Sequence, residues 1–268
     1  MDSGPVSGRR TGYVWHELYG WHFGGMTPYE RPTTHLRFVQ PIPHVESPES
    51  KRRIHSLLEV SGILKSLIRL DPAPATEESV LRFHTKEYID RIQQMSLRDG
   101  GEAGECAPFS PGGWNIALLS AGGVIKAVDS VLDGTVDNAY CLVRPPGHHA
   151  ERDRGRGFCL LGNVAIAAFH ALEVRGGCNR FYVRFLALCV NSQVLTTEHP
   201  RYRLCSRILI VAAGIQRISI IDWDVHHGID AHQILAHPQT PCDRSHFRLV
   251  GGGGGKNEKR AGRCAQAE

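Results

Sequence analysis

The sequence predicts an α/β fold built on a mainly parallel sheet, and three observations carry that prediction. The β-branched run Arg217-Ile218-Ser219-Ile220-Ile221 leads into Asp222-Trp223-Asp224-Val225-His226-His227-Gly228. This is the pattern of a buried strand that delivers polar side chains at its C-terminal edge, where open α/β sheets place their sites. A second strand, residues 139–143, runs into Arg144-Pro145-Pro146-Gly147-His148-His149. Between the two, residues 163–174 read as a buried or amphipathic helix, so strand, His-bearing loop, helix and strand form a βαβ unit with both polar ends on one side of the sheet. A chain of 268 residues, 41% hydrophobic and 22% charged, is long enough to bury the core of one such domain.

The remaining elements follow in order. Residues 12–25 hold Tyr13, Trp15, His16, Tyr19, Trp21, His22 and Phe23, a mixture that suits a partly buried strand and loop and reads mainly as core. Residues 26–48 carry prolines at 28, 32, 41, 43 and 48 and are expected to be an irregular connection. Residues 49–70 place Ile54, Leu57, Leu58, Leu64, Leu67 and Ile68 at helical spacing, which predicts one helix packed on that stripe and ended by Asp71-Pro72-Ala73-Pro74. Thr76 is the N-cap of a short helix over 77–83, with Glu77 and Glu78 in its first turn. Thr85 opens a third helix to about residue 95, with Tyr88, Ile89 and Ile92 inward. Residues 98–113 form a loop rich in Gly and Pro, long enough to suggest function, with Glu102 and Glu105 on it. Residues 114–132 are a helix whose Gly122-Gly123 pair costs propensity and so signals close approach to another backbone.

Both strand ends carry chemistry. Side chains alternate along a strand, so Asp222, Asp224 and His226 point the same way and form a partial shell for zinc or a similar divalent ion. A single Asp or His there would more often cap a neighbouring helix. In the other turn, two prolines and a glycine stiffen the support of His148 and His149. One imidazole can act as a general base while a buried carboxylate orients the other. The bland alternative, a His pair satisfied by carbonyls in a tight turn, stands level with this for the turn alone.

A formal net charge of +4 is small for this length and argues for neither nucleic acid nor a membrane surface. Cysteines at 106, 141, 159, 178, 189, 205, 242 and 264 form no Cys-x-x-Cys pair, which predicts reduced thiols and an intracellular location, cytoplasm and/or nucleus. Residues 1–11 have no apolar segment of a signal peptide, and no apolar run reaches the ~18 residues of a membrane span, so no membrane association is expected. Nothing sets an oligomeric state.

The strings Leu142-Val143-Arg144-Pro145-Pro146-Gly147-His148-His149-Ala150, Gly157-Phe158-Cys159 and Asp222-Trp223-Asp224-Val225-His226-His227-Gly228 closely resemble the histone deacetylase superfamily, most of all its class II and bacterial deacetylase or acetylpolyamine amidohydrolase branch. Val60-Ser61-Gly62, Phe83-His84-Thr85, Gly122-Gly123 and Val136-Asp137-Asn138-Ala139 fit the same branch. The resemblance covers residues 12–177 and 216–228 and implies a three-layer α/β/α arginase/deacetylase-like fold, incomplete at its C-terminal end, with a partial domain over 12–228. It implies zinc held by Asp224 and His226, His149 as the general base, and His148 as its partner, hydrogen-bonded to Asp222. Phe158, with Gly157 beside it, matches an aromatic wall of the acyl-lysine channel, and Glu105 matches the acidic residue that orients the substrate backbone. Asp222, Asp224 and His226 also match part of a potassium site. The implied substrates are acetylated histone or other protein, or acetylpolyamine.

The departures matter as much. Residues 178–215 stand where members have a short turn, and read either as an extra hairpin or as translated non-coding sequence. After Gly228 members continue with Asn or Asp and Gly-Thr-Gln, but Ile229-Asp230-Ala231-His232 follows here, and residues 229–268 read as a disordered tail outside the family pattern. No Gly-Phe-Asp motif supplies a third zinc carboxylate, and no tyrosine follows Tyr202 to stabilise an oxyanion. Two readings therefore stand open: a zinc-dependent deacetylase of impaired activity, and a truncated or mis-spliced, catalytically dead member that acts at most as a binding partner. A manganese site of the arginase type is weaker, because it needs an acid where Gly228 stands.

Overall fold

The computed structural model describes residues 10–22 and 46–174, together with the strand backbones at 182–187, 207–212, 218–222 and 247–251. In chain order the elements are β1 (Thr11–Val14), α1 (Pro48–Val60), β2 (Ile68–Arg69), α2 (Glu77–Leu81), α3 (Lys86–Leu97), β3 (Gly101–Glu102), β4 (Gly104–Glu105), β5 (Pro108–Phe109), α4 (Gly113–Leu132), β6 (Asn138–Cys141), β7 (Gly155–Arg156), α5 (Asn163–Val174), β8 (Tyr182–Ala187), β9 (Arg207–Ala212), β10 (Ile218–Asp222) and β11 (Phe247–Gly251). Seven strands form one sheet in the order β11-β10-β9-β8-β6-β1-β2. It is mainly parallel; only the β8–β9 and β9–β10 pairs are antiparallel.

Alternation along β1 and β6 assigns the layers. Tyr13 and Tyr140 are paired in register and their rings stack at 5.9 Å; Tyr13 also stacks on His55 of α1 and meets its Nδ1 at 2.9 Å. Their neighbours Val14 and Cys141 turn to the opposite face, where the Cys141 thiol lies 3.9 Å from the Gly123 carbonyl of α4. Helix α1 thus covers one face while α4, with α5 packed on it, covers the other. Gly122 and Gly123 mark where α4 comes closest: a Cβ on Gly122 would sit 1.8 Å from the Ala73 carbonyl oxygen, and one on Gly123 would meet Val14 Cγ1 at 2.9 Å. The close approach expected from that pair is what the fold requires.

The caps at Thr76 and Thr85 accept the backbone N–H groups of Ser79 (3.2 Å) and Tyr88 (3.3 Å), and Tyr88, Ile89 and Ile92 are buried as expected. The expected helix over 49–70 is shorter. It stops at Val60, where Ser61 and Gly62 donate to the Leu57 and Glu59 carbonyls and Gly62 takes a left-handed φ of 78°. Residues beyond it form a 3-10 turn and then β2 beside β1. Ile54, Leu58, Leu64 and Leu67 pack on the core, but Leu57 is 63% exposed and Ile68 36%, so these two do not belong to the buried stripe.

Helix α4 and the βαβ unit bear on two further expectations. Helix α4 is long and apolar enough to cross a membrane by length and composition, although no unbroken apolar run announces it. Its Val124, Ala127 and Val128 are fully buried against the sheet and α5, which makes it a core helix here. The expected βαβ unit closes on β8 and not on β10: α5 is followed by β8, which pairs with β6 in parallel. Strands β6 and β10 do run in the same direction, so both polar ends reach one edge of the sheet, but β8 and β9 lie between them. At ~4.8 Å per strand, the axes of β6 and β10 stand about 14 Å apart.

Candidate active site

The turn after β6 is held from below by Arg144, which is 3% exposed. Its Nε donates to Glu46 Oε2 at 2.7 Å, its Nη2 to the Glu46 carbonyl at 3.2 Å, and its Nη1 to the carbonyls of Tyr19 (3.1 Å) and His22. Glu46 in turn accepts from the buried Lys51 Nζ at 2.5 Å. Burial alone would raise the Glu46 carboxyl, but Arg144 and Lys51 outweigh it and hold it below the ordinary carboxylate value. Burial likewise lowers the Arg144 guanidinium, with Glu46 opposing.

From the other side, Ser120 Oγ and Asn163 Nδ2 donate to the Pro145 carbonyl at 2.9 and 3.2 Å, and the Arg144–Pro145 peptide is cis. A Cβ on Gly147 would lie 2.7 Å from the Leu161 carbonyl oxygen, so the turn is pressed onto the segment that starts α5. This seating presents the two histidines differently. His148 is buried at 2% exposure, His149 is half-buried, and their ring centroids are 3.9 Å apart at 33°.

Gly157 stands against His149, and Phe158 follows it in the chain. Gly157 has a φ of 51°, and a Cβ there would fall 2.6 Å from His149 Cδ2, so only glycine leaves room for the imidazole. The Cys159 thiol accepts the His149 N–H at 3.4 Å and donates to the Gly157 carbonyl at 3.4 Å. Glu105 lies on β4, which pairs in parallel with β7, and its carboxylate meets Arg156 Nε at 3.1 Å. Arg156 also reaches the buried Glu151 at 3.3 Å.

The segment 151–162 is braced by His84. Its ring stands between the Arg152 carbonyl at Nδ1 (3.1 Å) and the Gly162 N–H, which donates to Nε2 at 2.9 Å. Burial lowers its pKa from 6.5 to about 3, against the smaller upward pull of backbone hydrogen bonds. A depressed folded pKa for a histidine means stability that is fully present above pH ~6.5 and lost as pH falls from there toward about 3, by at most ~1.4 kcal/mol per pH unit. Unfolding midpoints measured between pH 7 and pH 4 are expected to fall more steeply for the wild type than for His84→Gln. Equal slopes would exclude His84 as a source of the acid sensitivity.

Asp222 ends β10 on the edge toward which β6 also points. Asp224 and His226, the expected zinc ligands, lie outside the described residues, as does the side chain of Asp222. Among the described residues no group of three or more His, Cys, Asp and Glu side chains is gathered as a metal would require. The described cysteines, 106, 141 and 159, form no disulfide with one another.

Glu46, Lys51, Ser120, Glu151, Arg156 and Asn163 were not singled out by the sequence reading. The charge of Arg144 at the end of a buried strand was a usable signal that a carboxylate must be near; the identity of that carboxylate, 98 positions away, was not legible.

Residues 44–183 match the histone deacetylase domain. The chain is 38% identical over 223 residues to a histone deacetylase-like amidohydrolase of Pseudomonas aeruginosa, covering 82% of this chain and 48% of that protein. It is 31% identical over 227 residues to a probable deacetylase of Archaeoglobus fulgidus, covering 84% and 48%, and 32% identical over 201 residues to the polyamine deacetylase HDAC10 of Mus musculus, covering 73% and 24%. It thus spans half or less of the length of these relatives. Among solved structures, the HD domain of HDA15 superposes with a TM-score of 0.64 at 22% identity, covering 91% of this chain and 54% of that one, a likeness of fold.

Proposed function

The chain belongs to the histone deacetylase family, and on that premise we propose that its site is built to hydrolyse the acetamide of an acetyl-lysine side chain, on histone or another protein, or of an acetylpolyamine. The observation that carries the reading is the His148-His149 pair on a turn clamped by Arg144, with Gly157 against His149, at the sheet edge where Asp222 ends β10.

In this reading the ring nitrogen of the half-buried His149 takes the proton of the attacking water and returns it to the leaving amine. The buried His148 packs against that ring and fixes its orientation, with the Asp222 carboxylate as the expected partner of His148. Phe158 forms one wall of the channel that leads the acyl chain to His149 and keeps bulk water from it. Glu105 accepts an N–H of the substrate at the entrance, where it competes with Arg156. The donor set after Asp222, carboxylate and imidazole, fits a borderline divalent ion such as zinc, with Asp224 and His226 as ligands. Bound zinc would supply the Lewis acid that polarises the acetamide carbonyl and makes water acidic. A potassium ion near Asp222, Asp224 and His226 would be structural.

A second reading, binding of acetylated ligands without turnover, is favoured by Ile229-Asp230-Ala231-His232, which stands directly after Gly228 where the family pattern has Asn or Asp and then Gly-Thr-Gln. Purified protein separates the two when metal content and acetate release from acetyl-lysine peptide and acetylspermidine are measured together. Stoichiometric zinc with acetate released from either substrate is the expected result. Zinc binding with no acetate from either establishes the second reading.

A further inference from the structure

We propose that Cys106, through its backbone carbonyl and not its thiol, is the positioning residue for Phe158, so that residues 101–109 and 155–159 act as one unit setting the entrance to the site. The inference rests on the deacetylase reading for what Phe158 does. Its physical basis is a continuous set of backbone bonds. Gly104 and Glu105 pair in register with Gly155 and Arg156, the Gly157 N–H donates to the Glu105 carbonyl at 2.9 Å, and the Phe158 N–H donates to the Cys106 carbonyl at 2.6 Å. Cys106 and Phe158 have φ values of 54° and 68°, and they are the described non-glycine residues in the left-handed region. Such a backbone persists in ordinary residues only where the surroundings fix it.

Those surroundings are visible on both sides. Glu102 Oε1 accepts the N–H groups of Gly104 (3.3 Å) and Ala107 (2.6 Å), Ala103 donates to the Ala107 carbonyl at 3.0 Å, and Arg91 Nη2 of α3 holds the Ala103 carbonyl at 2.7 Å. This brackets the turn that carries Cys106. Across the ladder, Arg156 and Cys159 exchange backbone bonds at 3.0 and 2.9 Å, and the Cys159 thiol accepts from His149. The two strands also lie as close as backbones come: a Cβ on Gly104 would lie 2.2 Å from the Gly155 carbonyl oxygen. Phe158 therefore cannot shift without moving the Cys106 carbonyl, and Glu105 sits on the same ladder, one residue away. The acidic residue at the entrance and the aromatic wall are joined mechanically through Cys106.

The test compares Cys106→Gly, Cys106→Ala and Cys106→Val with the wild type, reading amide hydrogen exchange at Gly157 and Phe158 and, separately, KM and kcat for an acetyl-lysine peptide. Valine is strongly disfavoured at positive φ, so Cys106→Val is expected to speed exchange at the Phe158 amide and to raise KM by roughly 10-fold with kcat kept, the size of the added left-handed penalty. Cys106→Ala, the safer variant for folding, should move both in the same direction by less. Cys106→Gly, which adopts positive φ freely, should leave both at their wild-type values. Unchanged Phe158 exchange in the Ala and Val variants overturns the inference, as does faster exchange with an unchanged KM. If the wild-type protein releases no acetate, the deacetylase reading fails on its own, and the exchange pattern still decides whether Cys106 holds Phe158.

Discussion

Replacing Glu46 with leucine is expected to destabilise the protein by about 3–5 kcal/mol, the cost of leaving buried charge without its counter-ion. Two cations, Arg144 and Lys51, share this one carboxylate at 2.7 and 2.5 Å, and all three side chains are no more than 4% exposed. Taking the acid away leaves two positive groups where water cannot reach them. A loss of this size in a domain of this length lowers a thermal midpoint by roughly 10 °C. The double variant Glu46→Leu with Lys51→Met should recover part of the loss, since one of the two uncompensated charges goes with it. The carboxyl is held below its ordinary pKa, so its contribution is present above the unfolded carboxylate pKa and is lost as pH falls through the folded value. The stability gap between wild type and Glu46→Leu should therefore close in acid. A thermal midpoint unchanged by Glu46→Leu at neutral pH would mean that the network is not closed as described.

The second large effect falls on chemistry and leaves the fold alone. His149→Ala is expected to lower kcat by ~100 to 10,000-fold, the usual range for losing a general base, with KM and thermal midpoint little changed. The ring is half-buried, and the bonds that seat the turn are made by the Pro145 carbonyl, the Arg144 guanidinium and the His149 backbone N–H, none of which the substitution removes. Kinetics on acetyl-lysine peptide at saturating zinc, with circular dichroism of the variant, would measure both. A kcat within a few-fold of wild type would remove His149 from the base role.

Much of this was legible in the sequence where the signal is local. A threonine followed by acids or by an apolar stripe caps its own helix, and Thr76 and Thr85 do so. The Gly122-Gly123 pair announced a close approach, although nothing in it named Ala73 as the partner. The Arg-Pro-Pro-Gly-His-His turn announced a stiff support for two histidines, and the fold places those rings 3.9 Å apart. Where the reading ran too long, as over residues 49–70, a helical stripe was continued by residues that pack on the same core from a 3-10 turn, so spacing could not tell the two apart.

What the sequence determined by itself is what short-range forces decide: helix caps, apolar stripes, the β-branched run that ends as a strand at Asp222, and the stiffness of a proline turn. Tertiary structure alone decided the rest. It chose Glu46 as the counter-ion of Arg144, set β8 and β9 between the two polar strand ends, and laid β4 along β7 so that Cys106 meets Phe158. Each of these joins residues far apart in the chain. Such pairings are fixed by which buried charges and backbone groups must find partners once the core has closed, and no local pattern of residue types names those partners.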